Sequence, residues 1–302
     1  MNALYDLQAP AKLNLFLHVV GRRADGYHLL QSVFTLIDWA DTLHLERRAD
    51  GQLHRHDLGP ALPPDDLCLK AARALQAESG CTLGADISID KAVPWGAGLG
   101  GGSSDAATVL IGLNRLWGLG WSRQRLLALG ERLGADVPFF IGGHTAFVEG
   151  IGEQLSPVSM TPQHYAVLKP AAAIPTAGIF SSPLLTRDTE AAIVTGFLAD
   201  AEALVRSEVG GAKTLASFPG HNDLQRAAEA LCPEVAEVGR WLQARFGNSR
   251  MTGSGSAVYA RAGAGERPVA TMHEGRTEGW PEGWVGRMCR SLDVHPLAGW
   301  LG

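Results

Sequence analysis

The feature that most constrains this chain is the glycine-rich segment at residues 94–104, PWGAGLGGGSS, which contains five glycines and two serines. Alternating residues at 86–90 predict a strand before it, and apolar positions within 105–117 recur at helical spacing after it. Glycine tolerates positive φ and has no side chain, so several backbone N–H groups can turn toward one anion, and the positive end of the following helix lies nearby. The segment therefore predicts a binding site for a phosphate chain rather than a flexible linker.

Three familiar nucleotide-binding patterns do not fit this segment. A P-loop needs a Gly-Lys pair, and the chain has none. Gly96, Gly98 and Gly101 match the dinucleotide pattern GxGxxG. That pattern also needs an acidic residue about 20 positions later, but no Asp or Glu occurs between Asp105 and Glu131. Protein kinases carry HRD and DFG, and both are missing here.

Outside this segment the chain alternates between predicted strands and predicted helices. Strands are predicted at 13–20, 30–37, 42–46, 86–90 and 165–168. Helices are predicted after Asp65-Asp66, at 105–117, at 122–133 with Ser122 as N-cap, and at 188–206, 223–231 and 233–246. The remaining segments are predicted to be a turn at 22–28, a loop at 50–64, a loop and then a strand at 135–153, a glycine-rich turn and short strand at 251–260, and a surface loop with one short helix at 263–283.

Composition excludes several classes of protein. The chain has 302 residues, a formal net charge of −5 and no basic stripe, so we expect it not to bind nucleic acid. Residues 1–12 lack the pattern of a signal peptide, and no stretch approaches about 18 uninterrupted apolar residues, so we expect a cytoplasmic protein without a membrane span. Four widely separated cysteines are expected to be reduced thiols, namely Cys68, Cys81, Cys232 and Cys289.

Three motifs in this order resemble those of the GHMP kinase superfamily. They are PAKLNLFLHVVGRRADGYH at 10–28, the glycine-rich segment at 94–104 and RMTGSGSAVYA at 250–260. The segment LGADVPFFIGGHTAFVEGIGE at 133–153 resembles one branch in particular, whose substrate is a cytidine diphosphate-linked methylerythritol. HPL at 295–297 is similar to a Pro-Leu near the C-terminus of that branch, and the resemblance covers most of residues 5–260.

The resemblance implies an α+β protein with two domains and an active site in the cleft between them. We expect an ATP-binding domain at 1–155 and a substrate-binding domain at 156–302. The implied activity is transfer of a phosphoryl group from ATP to an alcohol of a small molecule, in the non-mevalonate route to isoprenoid precursors. Mg²⁺ is expected to neutralise the phosphate charge. A monomer or a weak homodimer is expected.

ATP is expected to bind along the glycine-rich segment and at one residue before it. The implied contacts are Pro94, Trp95, Gly96, Ala97, Gly98, Leu99, Gly100, Gly101, Gly102, Ser103 and Ser104, together with Asp66. Ser103 and Ser104 are also candidate Mg²⁺ ligands, but no protein metal site is assigned. Related enzymes tend to carry Asn at the position of Asp66, close to the adenine. An ionised Asp accepts hydrogen bonds and cannot donate one, so recognition of the adenine is expected to differ.

The resemblance assigns the chemistry to Lys12 and Asp136. Asp136 follows a predicted helix break at Gly134 and is the expected base for the hydroxyl proton, the alternative being that it only caps the turn before Pro138. The ammonium of Lys12 is expected to keep Asp136 ionised and to offset charge on the transferred phosphoryl group. Asn14 lies on the same face of the predicted strand and is expected to orient the substrate hydroxyl.

Three aromatic residues are expected to recognise the cytosine ring. Tyr27 and His28 close the first motif, and the resemblance implies that they stack on the base and hydrogen-bond to it. Phe180, in PTAGIF, matches a second aromatic residue that sandwiches the base, although a lone Phe there is also typical of a core. Asn222 and Asp223 match an Asn-Asp pair of the family, and a helix N-cap role remains open for either.

Two other functions stay open. One is that of another GHMP kinase, acting on mevalonate, homoserine or a sugar, but DGYH and GADVPFF resemble the branch that recognises a cytidine group. The other is that of a non-catalytic nucleotide-binding relative that regulates another protein. The presence of both Lys12 and Asp136 argues against that interpretation.

Overall fold

The computed structural model describes residues 1–64, 66–209, 216–272 and 280–301. Its strands are β1 (Ala3–Arg22), β2 (His28–Arg48), β3 (Leu53–Asp57), β4 (Gly84–Asp90), β5 (Ala146–Glu149), β6 (Gln154–Pro157), β7 (Gln163–Lys169), β8 (Arg250–Met251), β9 (Val258–Ala264) and β10 (Val285–Leu292). Its helices are α1 (Leu67–Ser79), α2 (Gly101–Leu116), α3 (Arg123–Glu131), α4 (Val137–Gly142), α5 (Thr176–Phe180), α6 (Val194–Val209), α7 (Gln225–Leu231) and α8 (Pro233–Phe246), followed by a 3-10 turn at Ala298–Trp300. The predicted mixture of helix and sheet is confirmed.

A long antiparallel hairpin, β1 with β2, forms the centre of the first half. The turn predicted at 22–28 is confirmed and connects the two strands. The prediction of separate strands at 30–37 and 42–46 is wrong, because β2 is one continuous strand. Its pairing with β1 contains a β-bulge opposite Pro10 and Ala11, which takes up the residues between the two predicted strands.

Two predicted helices of the first half are confirmed, and one prediction needs a correction. α1 begins after Asp66, whose side chain accepts a hydrogen bond from the backbone N–H of Leu69, while Asp65 lies outside the described residues. α3 begins after Ser122, as predicted. α2 begins at Gly101 and not at 105, so the end of the glycine-rich segment forms its first turn.

The prediction of a loop at 50–64 is also partly wrong. This segment contains β3, which pairs in parallel with β4 at the edge of the sheet. The burial of β3 alternates between intermediate and exposed residues, so it lacks the fully buried apolar positions by which a strand is recognised in a sequence. Because most of its side chains are polar, this edge strand was not recognised in the sequence.

The second half adds β10, β7, β9 and β8 in that order, and β10 also pairs with β2, so that one sheet continues through both halves. The chain after β10 returns to the first half, where Leu297 and Leu301 join the core that α1 and α2 cover. Arg123 of α3 donates hydrogen bonds to the carbonyl oxygens of Ala298 and Leu301. The division of the chain near residue 155 remains a prediction.

The helices of the second half follow the predicted periodicity. Those predicted at 223–231 and 233–246 are confirmed as α7 and α8, and the helix predicted at 188–206 is confirmed only from Val194. In the segment 263–283, the described residues contain no helix, and 273–279 lie outside the described residues. Among the residues that the structure describes, no helix has the length and apolar character needed to cross a membrane.

Candidate active site

Lys12 and Asp136 lie together in the cleft between the two halves. Lys12 is in the middle of β1 and almost fully buried, and its Nζ is 3.6 Å from Oδ2 of Asp136. The same Nζ donates a hydrogen bond of 2.6 Å to Oδ1 of Asn14, two residues along the strand. Because alternate residues of a strand face the same side, Lys12 and Asn14 reach one point of the cleft. The structure thus brings three predicted site residues together.

The surroundings of Lys12 destabilise its protonated form. Burial lowers the pKa of the Lys12 ammonium, and the carboxylate of Asp136 offsets only part of that effect. The Nζ atom also lies 4.5 Å from the centre of the Phe34 ring. A partly desolvated ammonium beside a carboxylate interacts more strongly with a nearby phosphoryl group than a hydrated surface lysine does.

Asp136 directly precedes α4, in a segment that the sequence predicted to be a loop. Pro138 occupies the first turn of this short helix, where its missing N–H is tolerated. The side chain of Asp136 makes no capping hydrogen bond to α4 and remains 31% exposed toward the cleft. The alternative that Asp136 only caps a turn is therefore contradicted, because its carboxylate faces Lys12 instead.

The third motif reaches the same point from the second half. Oγ1 of Thr252 accepts a hydrogen bond of 2.9 Å from the backbone N–H of Asn14, and the Asn14 amide donates to Oγ of Ser32 at 3.0 Å. Sequence reasoning did not single out Thr252 or Ser32. The only available signal was the position of Thr252 inside the RMTGSG motif.

The glycine-rich segment is held between β1 and this third motif. The backbone N–H of Lys12 donates to the Leu99 carbonyl at 2.9 Å. Gly98 has a φ of +72°, and a Cβ there would overlap the carbonyl oxygen of Thr252. A Cβ at Gly100 would lie 2.9 Å from the Phe140 ring and 3.1 Å from Cγ of Lys12. Glycine is required at both positions by close packing as well as by backbone conformation.

A cavity of about 200 Å³ follows the glycine-rich segment to the N-terminus of α2. It is lined by Leu67, Lys91, Val93, Pro94, Trp95, Gly96, Ala97, Gly98, Leu99, Gly100, Gly101, Gly102 and Ser103. Ser104 is fully buried and does not line this cavity, unlike its neighbour Ser103. Backbone N–H groups of the α2 terminus meet there, which suits an anionic chain.

A second cavity, of about 210 Å³, adjoins the first and includes Asp66. Both cavities share Trp95, whose side chain is 73% exposed, and Lys91. One carboxylate oxygen of Asp66 already has partners within the protein. Its Oδ1 lies 3.0 Å from a guanidinium nitrogen of Arg55 and also caps α1. The position of Asp66 beside the cavity of the glycine-rich segment is compatible with the predicted nucleobase site.

A buried charge cluster that the sequence did not suggest supports this region. Nζ of Lys91 contacts carboxylate oxygens of both Asp41 and Asp105, the latter at 2.6 Å. Burial, assisted by the charge of Asp41, raises the pKa of Asp105 to about 8 against the opposing effect of Lys91. Lys91 and Asp105 flank the glycine-rich segment in sequence, so the cluster joins its two ends.

The three residues expected to recognise a base differ in their exposure and in their distance from the cleft. The rings of His28 and Phe180 stack, with centroids 5.1 Å apart and planes 25° from parallel. Phe180 lines the cleft, which encloses about 170 Å³ beside Lys12 and Asp136. Tyr27 is 62% exposed at the tip of the β1–β2 hairpin, and neither Tyr27 nor His28 lines that cavity.

Asn222 and Asp223 fasten the second half to β1. The Asn222 amide donates to the carbonyl oxygens of Met251 and Gly253, and Oδ2 of Asp223 accepts from the backbone N–H of Val19 at 2.6 Å. α7 begins later, at Gln225. Neither residue is the N-cap of α7, and their contacts hold the third motif against the cleft.

Comparison with known proteins shows the family to which the chain belongs. Residues 66–144 match the family model of the GHMP kinases N terminal domain, and residues 200–269 match that of the GHMP kinases C terminal domain. The 4-diphosphocytidyl-2-C-methyl-D-erythritol kinase of Methylibium petroleiphilum is 64% identical over 302 residues, covering 100% of this chain and 99% of the relative. The enzyme of that name from Variovorax paradoxus is 54% identical, covering 99% of both chains.

Solved structures agree with these relatives. A crystal structure of 4-(cytidine 5'-diphospho)-2C-methyl-D-erythritol kinase superposes with a TM-score of 0.72 at 36% identity, covering 85% of this chain and 90% of the other. Homoserine kinase from Cytophaga hutchinsonii shares the fold, with a TM-score of 0.62 at 16% identity, covering 87% of this chain and 86% of the other. The chain belongs to the GHMP kinases and, among them, to the family of 4-diphosphocytidyl-2-C-methyl-D-erythritol kinases.

Proposed function

We propose that this protein transfers the γ-phosphoryl group of ATP to the 2-hydroxyl of 4-diphosphocytidyl-2-C-methyl-D-erythritol, giving the 2-phosphate and ADP. The observation that carries this proposal is the Lys12–Asp136 pair in a cleft that is also lined by Gly98 and Gly100 of the glycine-rich segment and by Phe180, whose ring stacks on that of His28. Residues suited to binding phosphate, to accepting a proton and to stacking on a base therefore line one cleft. The reaction belongs to the non-mevalonate route to isoprenoid precursors.

In this mechanism Asp136 accepts the proton of the attacking hydroxyl. The ammonium of Lys12, 3.6 Å from the carboxylate, stabilises negative charge on the transferred group. Asn14 is held by Lys12, Ser32 and Thr252, so its amide is fixed where it can orient the hydroxyl. Positioning and charge supply most of the catalysis in phosphoryl transfer, because the enzyme has little covalent chemistry to do.

ATP lies along residues 94–103, with its phosphates at the N-terminus of α2 and its adenine beside Asp66 and Trp95. The carboxylate of Asp66 accepts a hydrogen bond from the adenine amino group but has no proton to donate. Mg²⁺, when bound, neutralises charge on the phosphates. Among the described residues no three acidic, His or Cys side chains converge, and Ser103 supplies a hydroxyl at the cavity, so the donors fit an ion held mainly by phosphate oxygens and water.

The cytosine ring lies against His28 and Phe180, and Tyr27 closes over it from the hairpin. The exposed position of Tyr27 allows a substrate to enter before this aromatic residue covers the base. We also propose that the protein acts in the cytoplasm as a monomer or a weak homodimer.

The test is a panel of alcohols with purified protein and Mg-ATP, in which ADP formation is followed and the product is identified by ³¹P NMR. We expect turnover with 4-diphosphocytidyl-2-C-methyl-D-erythritol, a phosphomonoester on its 2-hydroxyl, and none with mevalonate or homoserine. Turnover with mevalonate or homoserine alone would place the enzyme in another branch of the GHMP kinases. Binding of ATP without turnover of any alcohol would favour a regulatory protein.

A further inference from the structure

Arg187 connects the loop after α5 to the first half of the protein. Its Nε donates a hydrogen bond of 3.3 Å to Nε2 of His28. Its two Nη atoms donate to backbone carbonyl oxygens at the end of α5 and in the loop itself, at Phe180, Ser182 and Leu185, over 3.1 to 3.4 Å. The guanidinium is thus fixed by its own loop and presents one N–H to the imidazole.

This contact determines which nitrogen of His28 carries the proton. A guanidinium only donates hydrogen bonds, so Nε2 of His28 must offer a lone pair, and the proton of the neutral ring must lie on Nδ1. Partial burial, together with the positive charges of Arg187 and Arg22, lowers the pKa of His28 and favours the neutral ring. Stacking on Phe180 fixes the plane of the imidazole.

In the part of the chain that the structure describes, Nδ1 of His28 has no hydrogen-bond partner. It therefore stays available to a ligand that lies against the His28 and Phe180 rings. Cytosine and uracil differ at N3, which accepts a hydrogen bond in cytosine and carries a proton in uracil. An Nδ1–H group pairs with N3 of cytosine and opposes the N3–H of uracil, whereas the O2 atom is the same in both bases.

We propose that Arg187 is a positioning residue that holds His28 in its Nδ1–H tautomer and thereby makes the site select cytosine over uracil. This inference rests on the proposed function, in which His28 faces the base of the substrate. Arg187 itself does not touch the base, and it acts through His28. Loss of Arg187 lets the imidazole adopt either tautomer, and a ring with a lone pair on Nδ1 accepts the N3–H of uracil.

The kinetic test compares kcat/KM for the cytidine substrate and its uridine analogue in the wild type and in Arg187→Met. We expect the preference for cytidine to fall by about tenfold, the effect of one mismatched hydrogen bond. If Arg187 only orders its loop, both values fall by the same factor and the proposal is wrong. Arg22→Met is the matched control, because Arg22 faces His28 but donates from Nε to the Gly26 carbonyl, and we expect it to leave the preference unchanged.

A second measurement reads the tautomer without any turnover. Protein labelled with ¹⁵N-histidine reports protonation of Nδ1 and Nε2 by NMR, and the His28 signals are those missing from His28→Ala. We expect a protonated Nδ1 in the wild type and a mixture of tautomers in Arg187→Met. A protonated Nε2 in the wild type overturns the proposal. Because this spectrum needs no substrate, it decides the tautomer even if the proposed kinase reaction fails.

Discussion

The two ends of the cleft are built in opposite ways. At the end proposed for phosphoryl transfer, Lys12, Asn14 and Thr252 are buried, and a hydrogen bond between Asn14 and Thr252 joins the two halves. Gly98 packs there against the Thr252 carbonyl. At the end proposed for base recognition, His28 and Phe180 are only partly buried and Tyr27 is exposed. A loop arginine, and not a sheet, connects that end to the second half.

This difference fits two separate tasks, alignment of the reacting groups at one end and recognition of the nucleobase at the other. Phosphoryl transfer loses rate when the reacting groups move by about 1 Å, so its residues are fixed by strands and close packing. A nucleobase must enter and leave, and flat rings on loops recognise it with contacts that form on binding. Substitutions at the first end should therefore change stability and kcat together, whereas those at the second should change mainly KM.

Among the substitutions that compare the two ends, the largest combined effect on stability and kcat is expected for Gly98→Ala. The substitution introduces a Cβ where φ is +72° and where the Thr252 carbonyl leaves no space, so we expect a loss of at least about 2–3 kcal/mol in unfolding free energy and most of kcat. Gly118→Ala is the control, since Gly118 has a φ of +67° but no neighbour within 4 Å of its Cβ position. It should cost about 1 kcal/mol and leave kcat unchanged. Urea unfolding and steady-state kinetics measure both, and equal losses would refute the role of close packing.

A smaller effect is expected for Thr252→Val. Valine has a similar shape but leaves the buried N–H of Asn14 without its acceptor, at a cost of about 1–3 kcal/mol. Because Asn14 is proposed to orient the hydroxyl, we expect kcat to fall about tenfold with little change in KM for ATP. Thr252→Ser keeps the acceptor and should restore most of the activity. A serine variant as impaired as the valine variant would show that the methyl group, and not the hydroxyl, matters.

The smallest effect is expected for Phe180→Ala. Loss of one aromatic stacking partner should raise KM for the cytidine substrate about threefold to tenfold and change stability little. Its neighbour Ile179 is fully buried, so Ile179→Ala should instead lower the unfolding free energy by about 2–5 kcal/mol. A thermal shift assay beside steady-state kinetics distinguishes the two variants. An unchanged KM in Phe180→Ala would remove Phe180 from base recognition.

Local patterns predicted those parts of the fold that local physics determines. The caps at Asp66 and Ser122 and the helices α7 and α8 depend on residues close in sequence, and all were predicted. β3 was missed because its edge position leaves no fully buried face, and β2 was divided because a bulge interrupts its pairing. Both errors concern pairing with distant residues, which periodicity does not reveal.

The site residues show the same contrast between local patterns and contacts with distant residues. The motifs predicted Lys12, Asn14 and Asp136, and the structure brings them together. Thr252 and Arg187 were missed, because each acts across the cleft on a residue more than 150 positions away in the chain. Asp41 likewise meets Lys91 only through folding.

The central claim is that Asp136 takes part in the chemical step and not in binding. The most direct test is single-turnover rapid quench with excess enzyme, Mg-ATP and labelled 4-diphosphocytidyl-2-C-methyl-D-erythritol, comparing wild type with Asp136→Asn. Asn preserves the shape of Asp but cannot accept the proton, so we predict unchanged binding of both substrates and a phosphoryl-transfer rate lower by about 10²–10⁴-fold. A rate within about threefold of wild type would contradict the account, because the proton of the hydroxyl would then need no base at this position.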